Sequence, residues 1–269
     1  MQKRIDVVMA GAGALYPLYV GALLALEEEN YTINSLSGTS GGAIAAAIWS
    51  LSDVRHEKDE LLKFILETLP SNNNLISYSF KNLFTKWGLF DGQKLEDCLR
   101  ERFCDTMGEA KVPTYIYASD IKRQKLCQFS SEEHKELLVS KVLRASSSIP
   151  FIFTPTEINN ELFVDGGWSF HFPSEIYKNK KESEILGLRI TKSSGNRTIK
   201  GIVDYFQKSL YKTILSVLKD EEIPAYFKII DFESEYSKLK LDNTTKEEAE
   251  NIFMEGYEQT KSYINNEKR

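Results

Sequence analysis

The stretch TINSLSGTSGGAIAAAIWSL, residues 32–51, contains the pattern that decides the fold of this chain. A predicted apolar strand over residues 32–37 leads into GTSGG (residues 38–42), and a helix of small residues follows over residues 43–51. This G-x-S-x-G order is typical of a sharp strand-to-helix turn that lifts a serine hydroxyl out of a sheet. The following helix would present its positive end to Ser40, where it would favour an oxyanion. The pattern predicts that Ser40 is a nucleophile.

The same five residues have a plainer interpretation, in which Ser40 only caps the helix in a tight turn. The position of the motif also separates two classes of hydrolase. In the α/β-hydrolase fold the nucleophile follows several strand–helix units, with the acid and the histidine later in the chain. Here Ser40 follows a single such unit, which disfavours that fold but leaves a histidine base open.

A second loop of small residues, AGAGA at residues 10–14, follows a predicted strand over residues 5–9 and precedes a predicted helix over residues 17–29. Such a loop lets backbone N–H groups approach an anion closely. It could form an oxyanion hole for an ester intermediate, bind a dinucleotide phosphate, or be a plain turn. Tyr16 stands where the dinucleotide pattern G-x-G-x-x-G requires its third glycine, which weakens that second alternative.

Asp165 opens the sequence DGG (residues 165–167) at the end of a short apolar strand. An aspartate in this setting often only caps a turn. As a proton acceptor for Ser40 it would need desolvation, because its ordinary pKa of about 3.9 makes it a weak base. His171 is the histidine nearest to this motif in sequence and is an alternative base. The neighbouring aromatic residues could supply apolar surroundings: Phe163, Trp168, Phe170 and Phe172.

Taken in order along the chain, these motifs resemble those of the patatin-like phospholipase family, and the resemblance covers residues 5–264. GTSGG (residues 38–42) matches the family's nucleophile motif, and DGG (residues 165–167) matches the motif that carries its aspartate. RASSSIP (residues 144–150) is similar to a further family segment, and GALLALE (residues 21–27) is similar to the family's first helix.

The resemblance implies a three-layer α/β/α fold with a mainly parallel central sheet, spanning residues 1–269 as one domain. It implies hydrolysis of lipid acyl esters, of the phospholipase A or lysophospholipase type, without a metal or an organic cofactor. Ser40 would be the nucleophile and Asp165 the proton acceptor. Four residues would supply the N–H groups of the oxyanion hole: Gly11, Ala12, Gly13 and Gly41. Four glycines would support the motifs: Gly38, Gly42, Gly166 and Gly167.

The chain departs from the family pattern at two places. The family loop G-G-G-x-[RK]-G aligns with residues 11–16, where Leu15 and Tyr16 replace the basic residue and the last glycine. His171 stands where the family has asparagine. Two rival hypotheses follow: a non-catalytic lipid-binding protein on the same fold, and an esterase that uses Ser40, His171 and Asp165.

The composition excludes several other functions. The 269 residues carry a formal net charge of -5, which disfavours nucleic acid as a partner. The three cysteines are odd in number and lack C-x-x-C spacing, so neither a disulfide scaffold nor a zinc ribbon is expected. The sequence does not reveal whether a protein activator is needed.

The uncharged run over residues 7–26 is about as long as a membrane span, but it contains glycines and a proline and divides into a strand and a helix. We therefore expect neither a signal peptide nor a transmembrane helix, and a cytoplasmic protein that contacts membranes peripherally. Residues 198–219 are predicted to form a long helix with an amphipathic face. A polar loop is predicted over residues 70–79 and a helix over residues 132–145.

Overall fold

The computed structural model describes residues 3–51, 57–68, 79–103, 105–174, 177, 185–193, 201, 205, 208–209, 227–236 and 244–268. The strands are β1 (Lys3–Met9), β2 (Tyr31–Thr39), β3 (Gly88–Phe90), β4 (Thr114–Asp120), β5 (Lys125–Ser130), β6 (Phe151–Phe153), β7 (Thr156–Ile158), β8 (Glu161–Asp165), β9 (Ile185–Ser193) and β10 (Lys228–Ser234). The α-helices are α1 (Tyr16–Glu28), α2 (Gly41–Leu51), α3 (Lys58–Thr68), α4 (Phe80–Thr85), α5 (Gln93–Arg102), α6 (Val139–Ser146) and α7 (Lys246–Glu267).

The central sheet has the strand order β10-β9-β1-β2-β4-β8-β7, and β5 pairs with β4 outside this path. Strands β10, β9, β1, β2 and β4 are parallel, whereas β5, β7 and β8 add antiparallel pairs at one edge. Parallel strands require crossover connections, which explains why helices follow β1 and β2 directly. The predicted three-layer α/β/α fold with a mainly parallel sheet is confirmed.

Strand β1 is buried on both faces of the sheet, as expected for a central parallel strand. Val7 and Met9 pack into the larger core together with α1, α2 and α7. Val8 points to the opposite face, where it packs in a separate cluster with Phe172 and Tyr177. Alternate residues of one strand therefore contact two different apolar layers, and this places the carboxyl end of β1 in the interior.

Helices α1 and α7 approach each other through two glycines. A Cβ atom added at Gly256 would lie 1.8 Å from the carbonyl oxygen of Leu18, and one added at Gly21 would lie 2.0 Å from that of Phe253. Thr245 precedes α7 and forms a capping box with Glu248. The close approach of α1 and α7 at these two glycines fixes α1, the helix that follows the loop at residues 10–14.

Most predicted elements are present, but the helix predicted over residues 132–145 is wrong in its first half. The helix begins only at Val139, because Leu138 forms an extended bridge with Thr106 and the preceding residues form turns. The ring Nδ1 of His134 accepts the backbone N–H of Ser130 and stabilises those turns. Nearly all of the predicted helix over residues 198–219 and nearly all of the loop over residues 70–79 lie outside the described residues.

The small parallel sheet of β3 and β6 was not predicted from the sequence. Each strand has three residues, and Gly88 pairs with Phe151 while Phe90 pairs with Phe153. Leu89, Phe90 and Phe153 belong to a separate buried cluster beneath this sheet. Three-residue strands are too short to show a periodic pattern, so only the long-range pairing identifies them.

Substitution of Gly256 by alanine is expected to destabilise the protein, although alanine is the better helix former by about 1 kcal/mol. The added methyl group would meet the backbone of α1, so we expect the free energy of unfolding to fall by about 1–3 kcal/mol. Urea unfolding of Gly256→Ala and of Ser262→Ala, an exposed position on the same helix, tests this. Equal or increased stability of Gly256→Ala would contradict the described packing.

Candidate active site

Ser40 lies between the end of β2 and the start of α2, as its motif predicts. Its backbone φ is +55°, a left-handed conformation that non-glycine residues adopt uncommonly, and its side chain is 8 % exposed. Helix α2 begins at Gly41, so its free N–H groups and positive end lie beside the hydroxyl. Such local strain persists only where the surrounding structure holds it in place.

The hydroxyl of Ser146 holds this strained turn. It accepts the backbone N–H of Ser40 at 2.9 Å and donates to the carbonyl oxygen of Tyr117 at 2.6 Å. Ser146 is the last residue of α6, and Tyr117 lies in β4, which pairs with β2 at Thr39. One buried hydroxyl therefore connects the turn, the sheet and α6. In the sequence, Ser146 stands out only as part of RASSSIP (residues 144–150), and no local pattern predicts this contact.

The two loops of small residues pack directly against each other. A Cβ atom at Gly41 would lie 2.7 Å from the backbone nitrogen of Gly13 and 3.0 Å from the Cβ of Ala12. Only glycine at position 41 permits this approach. Because of this approach, the amino end of α2 and the turn at residues 12–13 lie on two sides of the same space next to Ser40. The N–H groups of Ala12, Gly13 and Gly41 could together contact an anionic oxygen there.

Gly11 differs from the other three residues expected to donate to an oxyanion. Its backbone N–H donates to the carbonyl oxygen of His171 at 3.2 Å, so this donor is already occupied. A Cβ atom at Gly11 would lie 3.8 Å from that of Ser40, so the residue does lie beside the nucleophile. Gly11 therefore connects the loop to His171, and its role as an oxyanion donor stays a prediction.

Asp165 lies at the end of β8, beside Ala118 of β4, and β4 in turn pairs with β2. This strand order brings together two residues that are 125 positions apart. The Gly167 N–H donates to Oδ1 of Asp165 at 2.8 Å, and the Ser40 side chain lies close enough to the carboxylate to lower its pKa. Burial is the larger effect and raises the pKa of Asp165 to about 6.

The backbone of Asp165 is fixed from two sides. Its N–H donates to the carbonyl oxygen of Ser148 at 2.9 Å, and its carbonyl oxygen accepts the hydroxyl of Ser119 at 3.1 Å. Ser148 itself contacts the guanidinium group of Arg144. The carboxylate therefore takes its position from β4 and from the segment after α6.

Arg144 is buried, and carbonyl oxygens provide much of its hydrogen bonding. Its guanidinium donates to the carbonyl oxygens of Gly92 and Thr154, each at 3.0 Å, and burial lowers its pKa to about 10. It thereby joins the amino end of α5 to the segment after β6 and to Ser148. This role was not predictable from the sequence, because a single arginine in a helical pattern resembles a solvated one.

His171 lies between the loop at Gly11 and the turn at Gly167. Its Nδ1 would be 3.0 Å from a Cβ atom at Gly11 and 3.5 Å from one at Gly167. His171 was predicted to lie near Asp165, and in the structure its ring lies beside both Gly11 and Gly167, at the candidate active site. Trp168, which was expected to help desolvate Asp165, is instead half exposed and contacts Phe151.

In the part of the chain that the structure describes, no group of three or more histidine, cysteine, aspartate or glutamate side chains could hold a metal ion. No described helix is long and apolar enough to cross a membrane.

Comparison with known proteins assigns the family. The family model for patatin-like phospholipase matches residues 7–176, which include both loops of small residues, Ser40 and Asp165. The chain belongs to the patatin-like phospholipase family. The sequence relatives reported below are distant, so membership rests on the family model, and the substrate stays open.

Two relatives and one solved structure illustrate the likeness. Uncharacterized protein R571 of Acanthamoeba polyphaga mimivirus is 24% identical over 190 residues, which cover 67% of this chain and 63% of that protein. Probable lipid hydrolase 463L of Invertebrate iridescent virus 6 is 26% identical over 207 residues, covering 68% and 69%. The crystal structure of VipD from Legionella pneumophila has a TM-score of 0.62 at 16% identity. It covers 99% of this patatin-like chain and 67% of VipD, and supports the fold.

Replacing Ser146 with alanine is expected to destabilise this patatin-like protein by about 1–3 kcal/mol, because the Ser40 N–H and the Tyr117 carbonyl oxygen would lose a buried partner. Ser147→Ala is the matched control, since the Ser147 hydroxyl is buried without a hydrogen-bond partner among the described residues. Denaturant unfolding compares the two variants. If both cost the same, the Ser146 hydroxyl does not hold the turn.

Proposed function

We propose that the protein is a lipid acyl hydrolase of the phospholipase A or lysophospholipase type, with Ser40 as nucleophile and Asp165 as proton acceptor. The observation that carries the proposal is the position of Ser40, at the end of β2, near a buried carboxylate whose pKa is raised and which Ser40 influences. Membership of the family and the name of the viral relative, lipid hydrolase, support a lipid ester as the substrate class.

In the proposed acylation step, Ser40 Oγ attacks the ester carbonyl carbon and its proton passes to the Asp165 carboxylate. The carbonyl oxygen becomes an oxyanion, which the N–H groups of Ala12, Gly13 and Gly41 would stabilise. When the intermediate collapses, the bond to the alcohol oxygen breaks and Asp165 returns the proton to that oxygen. The acyl group remains on Ser40 and the alcohol part of the lipid leaves.

Deacylation repeats these steps with water as the nucleophile. Asp165 takes a proton from water, whose oxygen attacks the acyl carbon, and the same N–H groups hold the oxyanion. Collapse breaks the bond to Ser40 Oγ, which recovers its proton from Asp165, and the fatty acid is released. The raised pKa suits this role, because a base works best when its pKa lies near the working pH.

The structure favours direct transfer to Asp165 over a histidine base for a specific reason. The Ser40 side chain is close enough to the Asp165 carboxylate to lower its pKa, so direct transfer needs no intermediary. His171 contributes its backbone carbonyl to the Gly11 loop, which gives it a positioning role independent of its ring. A non-catalytic lipid-binding protein remains the rival function, and covalent labelling of Ser40 by a fluorophosphonate would count against it.

The first test is fatty acid release from mixed phospholipid micelles. We expect activity in the wild type and a loss of about 10³-fold or more in both Ser40→Ala and Asp165→Asn, because each removes a group used in both steps. Asp97→Asn, an exposed carboxylate on α5, serves as the control and should retain activity. Full activity in Asp165→Asn would show that another group accepts the proton.

The second test is the pH dependence of kcat/KM, measured for the wild type and for His171→Asn. The base must be ionised, so with the pKa of Asp165 at about 6 activity should fall as pH drops through 6. The fall should approach tenfold per pH unit in more acidic solution. His171→Asn should retain this profile with a modest loss of rate. A loss as large as that of Ser40→Ala would identify His171 as the base.

A further inference from the structure

Four aromatic side chains on segments connected to the candidate active site are exposed. The exposed fractions are 81 % for Phe84, 59 % for Trp87, 47 % for Phe151 and 46 % for Trp168. Large aromatic residues are usually buried, and several exposed ones on adjoining segments indicate an interaction surface. We call these four residues the aromatic patch.

The members of the aromatic patch are connected to one another and to the site. Phe84 and Trp87 are three residues apart at the end of α4, and every residue from 84 to 87 is exposed. Trp87 precedes Gly88, which pairs with Phe151 across the small β3–β6 sheet. The rings of Phe151 and Trp168 are 6.5 Å apart in an edge-to-face contact. Trp168 ends the turn that begins just after Asp165.

The backbone holds two of these aromatic side chains in strained conformations. Trp87 has a φ of +62° and Phe151 a φ of +64°, both unusual for bulky residues. The cluster of Leu89, Phe90, Ile152 and Phe153 is buried directly beneath them and anchors both strands. The outward side chains therefore project from a packed base, and strain of this kind is often associated with function.

The charge next to the aromatic patch is positive. Residues 79–91 contain Lys81, Lys86 and Asp91, a net charge of +1, whereas the whole chain has a net charge of -5. Lys86 pairs with Asp91 at 3.2 Å, and both side chains are partly exposed. Tryptophan and phenylalanine combined with lysine are the residues that favour the interface of an anionic lipid bilayer.

We propose that the aromatic patch is the surface through which this protein docks on a phospholipid bilayer containing anionic lipid. The proposal rests on the proposed function, because a lipid hydrolase has to meet its substrate at such a surface. Insertion of the aromatic side chains would bring the turn of Asp165 and Trp168 to the lipid headgroups. A bilayer lipid would then reach Ser40 without crossing water.

The chain provides its own probe of this contact. It has three tryptophans, of which Trp49 is buried while Trp87 and Trp168 belong to the aromatic patch. Ser40→Ala protein, which should leave the lipid intact, is mixed with vesicles of phosphatidylcholine and phosphatidylglycerol. We expect a blue shift of tryptophan emission and quenching by brominated acyl chains. Absence of both effects at low salt would overturn the proposal.

The double variant Trp87→Asn/Phe151→Asn tests the assignment to these residues. Asparagine tolerates left-handed backbone better than other non-glycine residues, so the variant should fold with unchanged or higher stability. Its affinity for the vesicles, measured by flotation in the Ser40→Ala background, should fall about tenfold or more. The control is Leu138→Ser, since Leu138 is a 42 % exposed apolar residue immediately before the first residue of α6. Equal affinity of both variants would overturn the assignment.

Two further measurements distinguish failure of the docking proposal from failure of the proposed function, and lipid binding from self-association of the protein. With Ser40 intact, the double variant should hydrolyse a water-soluble short-chain ester at the wild-type rate but lose vesicle hydrolysis. If the wild type binds vesicles yet hydrolyses neither substrate, the proposed function fails and the docking surface stands.

Sedimentation should show the same oligomeric state for the wild type and the double variant. A wild-type dimer that the double substitution dissociates would instead assign the aromatic patch to a second copy of the chain.

Discussion

The bridge made by the Ser146 hydroxyl is the interaction on which the geometry of the site depends. Ser40 has a left-handed backbone, which is unfavourable for a residue with a Cβ atom. Its N–H would also lack a partner in a buried turn without Ser146. By accepting that N–H and donating to Tyr117, the hydroxyl ties the turn to the same strand that carries the neighbour of Asp165. These two hydrogen bonds therefore stabilise the strained backbone of Ser40 by connecting it to the sheet.

The position of the carboxylate is determined by a second set of buried contacts. Arg144 draws together backbone carbonyl oxygens from α5 and from the segment after β6, and it also contacts Ser148. Ser148 then accepts the N–H of Asp165. Burial of a charged guanidinium is costly unless its donors are satisfied, so this region has little freedom to rearrange. The raised pKa of Asp165 follows from the same dense packing, which excludes water from the carboxylate.

The candidate active site and the aromatic patch are stabilised by the same buried contacts. The small β3–β6 sheet lies over its own buried cluster, and Arg144 contacts the residue that follows β6. The nucleophile, the carboxylate and the exposed rings therefore belong to one hydrogen-bonded framework. Under the proposed function, such a framework would keep the reacting groups aligned while the outer surface contacts lipid.

The sequence by itself determined the local features. The GTSGG motif, the small residues around it and the DGG motif impose steric and hydrogen-bonding requirements that act over a few residues. Strand β1, helix α1, the turn at Ser40 and the capping box of α7 were therefore predictable. The motifs also specified which serine and which aspartate to examine, and their order indicated the family.

Only the tertiary structure decided how those motifs meet. Ser40, Ser146 and Asp165 are far apart in the chain, and their contacts arise because β2, β4 and β8 are neighbours in the sheet. The capture of the Gly11 N–H by His171 and the network around Arg144 likewise depend on residues from separate elements. Strand order and side-chain burial are properties of the whole packed core. Local patterns of residues do not encode them, because each pairing depends on all the others.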